Sequence, residues 1–181
     1  MFKTRLALAI DLCMGGHEKH FRLECVRRWD RKTPYSVHPI WCAMAFLLET
    51  KLSGDAKADR EDCALALVLH DFKEETSLPL PTWLSKKAVE LIDHMTISAE
   101  PGSTEIEIRE IWSKPLIVRL LKLYDKVSNL LDGSWMPDEK WNAQYVPYVL
   151  RLANDIEVNY GDLNIVRMAR AVAIKRLTTQ V

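Results

Sequence analysis

The chain has 181 residues, of which 48% are hydrophobic and 28% are charged, a balance typical of a globular protein rather than a disordered or collagen-like one. This length predicts a single domain over residues 1–181. Its 25 basic and 25 acidic side chains give no net charge, so no overall field attracts duplex nucleic acid or an anionic membrane surface. Any ligand must therefore be held at a local site.

The cysteine pattern and the short apolar runs predict a cytoplasmic protein. The four cysteines, Cys13, Cys25, Cys42 and Cys63, form no C-x-x-C pair, which argues against a disulfide or structural-zinc framework. Three of them lie in apolar helical runs, where a free thiol acts as a small buried hydrophobe. The N-terminal apolar run LALAI is shorter than the roughly 7 to 15 residues of a signal peptide, and no run approaches the roughly 18 residues of a membrane span.

Apolar residues recur at three- and four-residue spacing along most of the chain, without the strict alternation of strands. The sequence therefore predicts an all-α fold, arranged as a single compact helical bundle. Turn-forming residues such as Gly15-Gly16 separate the helical runs; nothing in the pattern indicates the oligomeric state. The predicted helices are 2–14, 18–29, 38–52, 58–73, 82–97, 103–112, 115–132, 138–159 and 162–177.

The helix predicted over 38–52 begins with His38-Pro39. Proline is favoured at the first helical position, where its missing N–H is not needed, so His38 is predicted to be the N-cap residue. Its side chain is then free to point across the bundle. The alternative is that the imidazole simply caps its own helix.

The helix predicted over 58–73 ends in His70-Asp71, and Glu74 and Glu75 follow. Carboxylates near a helix C-terminus face the negative end of the helix dipole, which costs a few tenths to about 1 kcal/mol each unless a cation is present. A bound metal ion would supply that cation, with His70 and Asp71 as ligands. The alternative is an ordinary solvated helix end.

The helix predicted over 115–132 is apolar around more than half its circumference and should lie at the centre of the bundle. Asp125 and Asn129 share one stripe of it, four residues apart. A buried carboxylate requires a partner. For Asp125 that partner is either a metal ion or one of the lysines on the same helix, Lys122 and Lys126.

Taken together, the three segments offer two imidazoles and two carboxylates from three different helices. This donor set suits Mn²⁺, Fe²⁺ or Zn²⁺ rather than Ca²⁺ or a metal that prefers thiolates. Such an ion can ionise water near neutral pH and polarise a phosphoryl oxygen. The candidate metal ligands are His38, His70, Asp71 and Asp125.

The segments TPYSVHP, LHDFKEET and KLYDKVSNL resemble the signature segments of the HD-domain metal-dependent phosphohydrolases. The resemblance is closest to the hydrolase domain of RelA/SpoT-type proteins and to the small alarmone hydrolases, and it extends from about Arg27 to Leu131. It implies an all-α HD-type fold, usually with Mn²⁺, and a small-molecule nucleotide substrate. The reaction implied is removal of the 3′-pyrophosphate from guanosine 3′,5′-bis(diphosphate).

The resemblance also implies roles for individual residues. Glu74 and Glu75 would orient and deprotonate the attacking water, Asn129 would contact the nucleotide, and Arg28 or its neighbour Arg27 would match a basic substrate-binding residue. One departure is Tyr145, which stands where small alarmone hydrolases carry an arginine that binds substrate phosphate.

Three other functions compete with this interpretation. The segment TSLPLPTWL resembles the loop after the HD helix of HD-type 5′-deoxynucleotidases. An HD scaffold that binds a nucleotide or metal without catalysis is the second alternative. The third is a purely structural bundle whose His-Asp pair is accidental.

Overall fold

Helices make up nearly all of the regular structure in this computed structural model, which describes residues 2–20, 26–27, 30–96, 103–132 and 141–178. A 3₁₀ turn spans Ile111–Ser113 and a π-helical turn spans Trp141–Tyr145. The described residues contain no β-strand, only an isolated antiparallel bridge between Val26 and Pro34, so the predicted all-α fold is confirmed. The helices are α1 (Phe2–His20), α2 (Val37–Leu47), α3 (Gly54–Ala58), α4 (Arg60–Leu69), α5 (Phe72–Glu75), α6 (Lys86–Met95), α7 (Ser103–Glu110), α8 (Leu116–Asp132), α9 (Val146–Tyr160) and α10 (Asn164–Thr178).

Helix α8 lies at the centre of the bundle, as its apolar circumference predicts. It contacts α2, α4, α6, α9 and α10, and nearly every side chain from Ile117 to Leu130 is buried. Helix α4 is buried just as completely from Cys63 to Leu69. Because these two stretches are enclosed by other helices, most of the polar side chains within them face protein groups rather than solvent.

Helix α1 continues through Gly15-Gly16 to His20, so the break predicted at residue 14 is wrong. The reason is a close helix contact rather than a turn. A Cβ atom added at Gly16 would collide with the ring of Phe72, whereas the same position at Gly15 is open. Gly16 therefore permits α1 to approach α5, and it does not end the helix.

Of the helix predicted over 18–29, residues 18–20 are helical as the end of α1, but the prediction is wrong at residues 26 and 27. Val26 forms the bridge to Pro34, and the segment that follows is a turn held by Asp30. Its carboxylate accepts hydrogen bonds from the backbone N–H groups of Lys32 and Thr33, both at 2.9 Å. Asp side chains that bind nearby backbone groups in this way favour turns over helices.

The helices predicted over 38–52 and 58–73 are shorter than expected. Helix α2 ends at Leu47, and the guanidinium of Arg60 donates to the carbonyl groups of Leu47 and Glu49. The second prediction is divided into α3, α4 and α5, with His70 and Asp71 in the turn between α4 and α5. No helix among the described residues is long and apolar enough to span a membrane.

Candidate metal centre

Four side chains predicted as metal ligands lie together in the interior of the bundle. His38 is in the first turn of α2, His70 and Asp71 form the turn after α4, and Asp125 lies midway along α8. Their exposed fractions are 2% for His38, 1% for His70, 9% for Asp71 and 3% for Asp125. The three segments singled out in the sequence thus converge on one buried cluster.

The distances between these groups fit ligands of a common ion. The Nε2 atom of His38 lies 3.4 Å from Asp71 Oδ2 and 3.4 Å from Asp125 Oδ1. The Nε2 atom of His70 lies 3.1 Å from Asp71 Oδ1 and 3.7 Å from Asp125 Oδ1. Donor atoms bound about 2.1 Å from a shared transition-metal ion are themselves roughly 3 to 3.5 Å apart. A donor atom from each of His38, His70 and Asp71 lies within 4.8 Å of the other two, so this group could hold a metal ion.

His38 is not the N-cap residue that the sequence predicts. Helix α2 begins at Val37 with Ser36 as its N-cap, so His38 and Pro39 are its second and third residues. Proline is tolerated there because the first four N–H groups of a helix have no partner within it. The imidazole nevertheless points across the bundle, where its Nδ1 lies 2.7 Å from the Ser128 hydroxyl of α8.

The hydrogen bonds of both imidazoles leave Nε2 directed at the carboxylates. The Nδ1 atom of His70 lies 2.8 Å from the Leu67 carbonyl, which can only accept, so Nδ1 carries the proton. His70 Nε2 is buried and makes no hydrogen bond within the described part of the chain. An imidazole fixed through Nδ1, with Nε2 directed into the cluster, is the usual arrangement of a metal ligand.

The electrostatics of the cluster favour a cation. Burial alone would lower the pKa of His70, but the carboxylates of Asp71 and Asp125 raise it to about 9. Burial lowers the pKa of His38. Burial would raise the pKa of Asp71, yet His70 and His38 hold it below its usual range. These charges favour the ionised form of Asp71, and a metal ion would replace protons as the positive partner of the carboxylate.

Asp125 contacts both of the partners that the sequence left open. Its Oδ1 faces the imidazoles and accepts from Asn129 Nδ2 at 2.9 Å. Its Oδ2 lies 3.0 Å from Lys126 Nζ and 3.3 Å from Lys122 Nζ. Although burial acts in the opposite direction, Lys126 and Lys122 hold the pKa of Asp125 well below its usual range. One carboxylate oxygen of Asp125 therefore faces the imidazoles, and the other pairs with the lysines.

The remaining predicted site residues lie around this cluster. Glu74 and Glu75 are half-buried in α5, one turn beyond Asp71. The pKa of the Tyr35 phenol is raised by burial, by the charge of Asp71 and, to a smaller extent, by the charge of Glu75. Arg28 lies outside the described residues. Its neighbour Arg27 is buried, with Nε 3.0 Å from Asp132 Oδ2.

Several groups that hold the candidate ligands in place are additional to the site residues predicted from the sequence. The hydroxyl of Tyr35 donates to Asp71 Oδ2 at 2.8 Å, and Ser128 contacts His38. Both lie inside the segments TPYSVHP and KLYDKVSNL, so their proximity to the ligands was a usable signal. Glu107 on α7 contacts both lysines that face Asp125, and no sequence pattern marks it. His17 is also buried, against the ring of Tyr35, with 5.1 Å between ring centroids.

Comparisons with known proteins establish the fold. No family model matches this sequence, and no curated protein matches it. Among solved structures, the chain is similar to a metazoan ortholog of SpoT that hydrolyses ppGpp, with a TM-score of 0.68 over 95% of both chains and 16% sequence identity. This likeness supports the expected all-α helical bundle and shows that the chain shares its fold with that protein.

Proposed function

We propose that this protein is a metal-dependent phosphohydrolase that acts on a nucleotide. The observation that carries this proposal is the convergence of two imidazoles and two carboxylates from α2, the α4–α5 turn and α8 on one buried point. A purely structural bundle would not be expected to bury two imidazoles and two carboxyl groups this close together. The same residues suit a divalent ion.

That ion would be held by His38, His70, Asp71 and Asp125. Mn²⁺ is our first choice because of the resemblance to RelA/SpoT-type domains. Fe²⁺ and Zn²⁺ are alternatives that suit the same donors. When bound, such an ion makes water a nucleophile near neutral pH and offsets negative charge on phosphoryl oxygens. The chain itself fixes the ligands. Tyr35 orients Asp71, Ser128 orients His38, and the Leu67 carbonyl orients His70.

Glu74 or Glu75 takes the proton from the attacking water in this proposal. Both carboxylates follow the ligand pair by one turn and are half-buried at its edge, where a general base must lie within reach of the water it deprotonates. Asn129, already bonded to Asp125, contacts the nucleotide. Arg28 binds substrate phosphate, since the guanidinium of Arg27 is engaged by Asp132 and by the Ser128 carbonyl.

Guanosine 3′,5′-bis(diphosphate) is the substrate we propose first, with release of pyrophosphate from its 3′ position. The signature segments support it, as does the fold shared with a protein that hydrolyses ppGpp. We expect the reaction to take place in the cytoplasm, where Cys13, Cys42 and Cys63, all free and buried, remain reduced.

A 5′-deoxynucleotidase is the second candidate, and the position of Tyr145 is the observation that favours it. Its side chain is 1% exposed, and a phenol cannot make the bidentate phosphate contact of the arginine that small alarmone hydrolases carry there. A site without that charge would suit a substrate with fewer phosphates. A module that binds nucleotide without turnover is the third candidate.

A release assay with Mn²⁺ distinguishes these candidates. The wild type and an Asp125→Asn variant, matched for folding by circular dichroism, are incubated with guanosine tetraphosphate and with deoxynucleoside monophosphates. Pyrophosphate release from the first substrate, lost in the variant, supports the alarmone hydrolase. Phosphate release only from the monophosphates supports the deoxynucleotidase. Binding without any release contradicts both enzymes and supports the non-catalytic module.

A further inference from the structure

We propose that Glu107 is a positioning residue for the metal centre, acting through Lys122 and Lys126 on Asp125. This inference rests on the proposed function, because it requires that Asp125 bind a cation. Glu107 lies on α7, a helix that supplies none of the four ligands. The lysines that it contacts lie at Oδ2 of Asp125, whereas the imidazoles lie at Oδ1.

Glu107 is part of a buried network of four charged groups. One of its oxygens, Oε2, lies 2.9 Å from Lys126 Nζ and 3.5 Å from Lys122 Nζ. The other, Oε1, accepts a hydrogen bond from the Tyr148 hydroxyl at 2.8 Å. The exposed fractions are 8% for Glu107, 3% for Lys122 and 7% for Lys126, so solvent screens these charges poorly.

Charge balance explains why a carboxylate is needed at this position. Two ammonium groups lie within 3.3 Å of a single oxygen of Asp125. Without Glu107, the pair Lys122 and Lys126 would leave a surplus positive charge directly behind a cation ligand. In a poorly hydrated interior that surplus would repel a divalent ion and would itself be costly to bury.

The same network fixes the orientation of the Asp125 carboxylate. The lysines hold Oδ2, and so Oδ1 alone faces His38 and His70. Glu107, on α7, in turn pairs with both lysines. Groups that orient metal ligands in this way typically contribute 10- to 100-fold to metal affinity.

The test is a calorimetric titration of the apo protein with Mn²⁺, using Glu107→Gln and a matched control. The control is Glu110→Gln, the same change on the same helix at an exposed residue whose carboxylate pairs with Arg109. We expect Glu107→Gln to weaken Mn²⁺ binding roughly 10- to 100-fold and Glu110→Gln to leave it unchanged. Wild-type affinity in Glu107→Gln would overturn the inference.

A charge-balance rescue separates positioning from a general structural role. In the double variant Glu107→Gln/Lys122→Met, one positive charge is removed along with the negative one, and we expect much of the lost Mn²⁺ affinity to return. A double variant that binds no better than Glu107→Gln contradicts the inference. If Glu107→Gln does not fold, Lys122→Met alone decides: tighter Mn²⁺ binding supports charge balance, and unchanged or weaker binding contradicts it.

The wild-type titration keeps the two proposals apart. If the wild type binds no Mn²⁺, the proposed function fails and this inference fails with it. If the wild type binds Mn²⁺ and Glu107→Gln binds it equally well, only the role of Glu107 is wrong.

Discussion

The Nδ1 atom of His38 lies 2.7 Å from the hydroxyl oxygen of Ser128, and this contact joins the first turn of α2 to the central helix α8. It fixes the rotation of the imidazole so that Nε2 faces Asp71 and Asp125. Ser128 follows Asp125 by three residues, so a single helix carries one proposed ligand and orients another. The precision of the cluster thus depends on a residue that contributes no ligand atom.

Replacing Ser128 with alanine should weaken Mn²⁺ binding roughly 10- to 100-fold, because the His38 ring loses the group that orients it. Ser113→Ala is the control, since that exposed hydroxyl donates only to the Glu110 carbonyl. Calorimetric titration measures both variants. Equal Mn²⁺ affinity in Ser128→Ala and the wild type would show that the contact does not orient a ligand.

The two adjacent glycines of α1 should respond in opposite ways to alanine. Gly15→Ala fills open space within a helix and should raise the free energy of unfolding by about 0.5–1 kcal/mol. Gly16→Ala places a methyl group against the Phe72 ring and should lower it by about 1–3 kcal/mol. Urea unfolding of the two variants checks this, and a gain of stability in Gly16→Ala would contradict the packing of α1 on α5.

Three of the four cysteines should be unreactive in the folded protein. Burial raises the pKa of Cys63 to about 12 and also raises those of Cys13 and Cys42, and only the thiolate reacts readily. In a Cys25→Ser variant, a thiol reagent at pH 8 should label no cysteine before unfolding and all three remaining cysteines in urea. Rapid labelling of the native variant would contradict the described core.

Replacing Glu74 and Glu75 individually with glutamine should identify the proton acceptor. Loss of a general base lowers kcat by about 10²- to 10⁴-fold, while Mn²⁺ binding should stay near the wild-type value because neither residue is a proposed ligand. Glu61→Gln, at an exposed residue paired with Arg5, provides the control. If both glutamine variants keep the wild-type kcat, neither carboxylate has the role proposed for it.

Local patterns in the sequence predict the features that depend on neighbouring residues. The apolar spacing of α8 predicts its central position, and the segments around His38, His70 and Asp125 predict a common cluster. Features set by distant contacts are not predictable in this way. The reason for glycine at position 16 is the ring of Phe72, far along the chain, and Glu107 reaches the lysines of α8 from a different helix, α7.

The turn at Asp30 shows a different limit. Its side-chain hydrogen bonds to Lys32 and Thr33 compete with helix formation. The spacing of apolar residues contains no information about these bonds, so it predicts a helix there. The position of His38 is a smaller example of the same kind. A proline in a first turn is compatible with several positions there, so the residue at which the helix begins depends on packing.

The proposed metal centre requires that His38, His70, Asp71 and Asp125 bind one divalent ion, which the amount of metal bound per chain measures. Purified wild type, Asp71→Asn and the exposed control Asp93→Asn are dialysed against Mn²⁺ and their bound metal is measured. We predict a single ion per chain in the wild type and in Asp93→Asn, and none retained by Asp71→Asn. A wild type without stoichiometric Mn²⁺, or an Asp71→Asn variant that binds as much Mn²⁺ as the wild type, would show that these residues do not form the proposed metal centre.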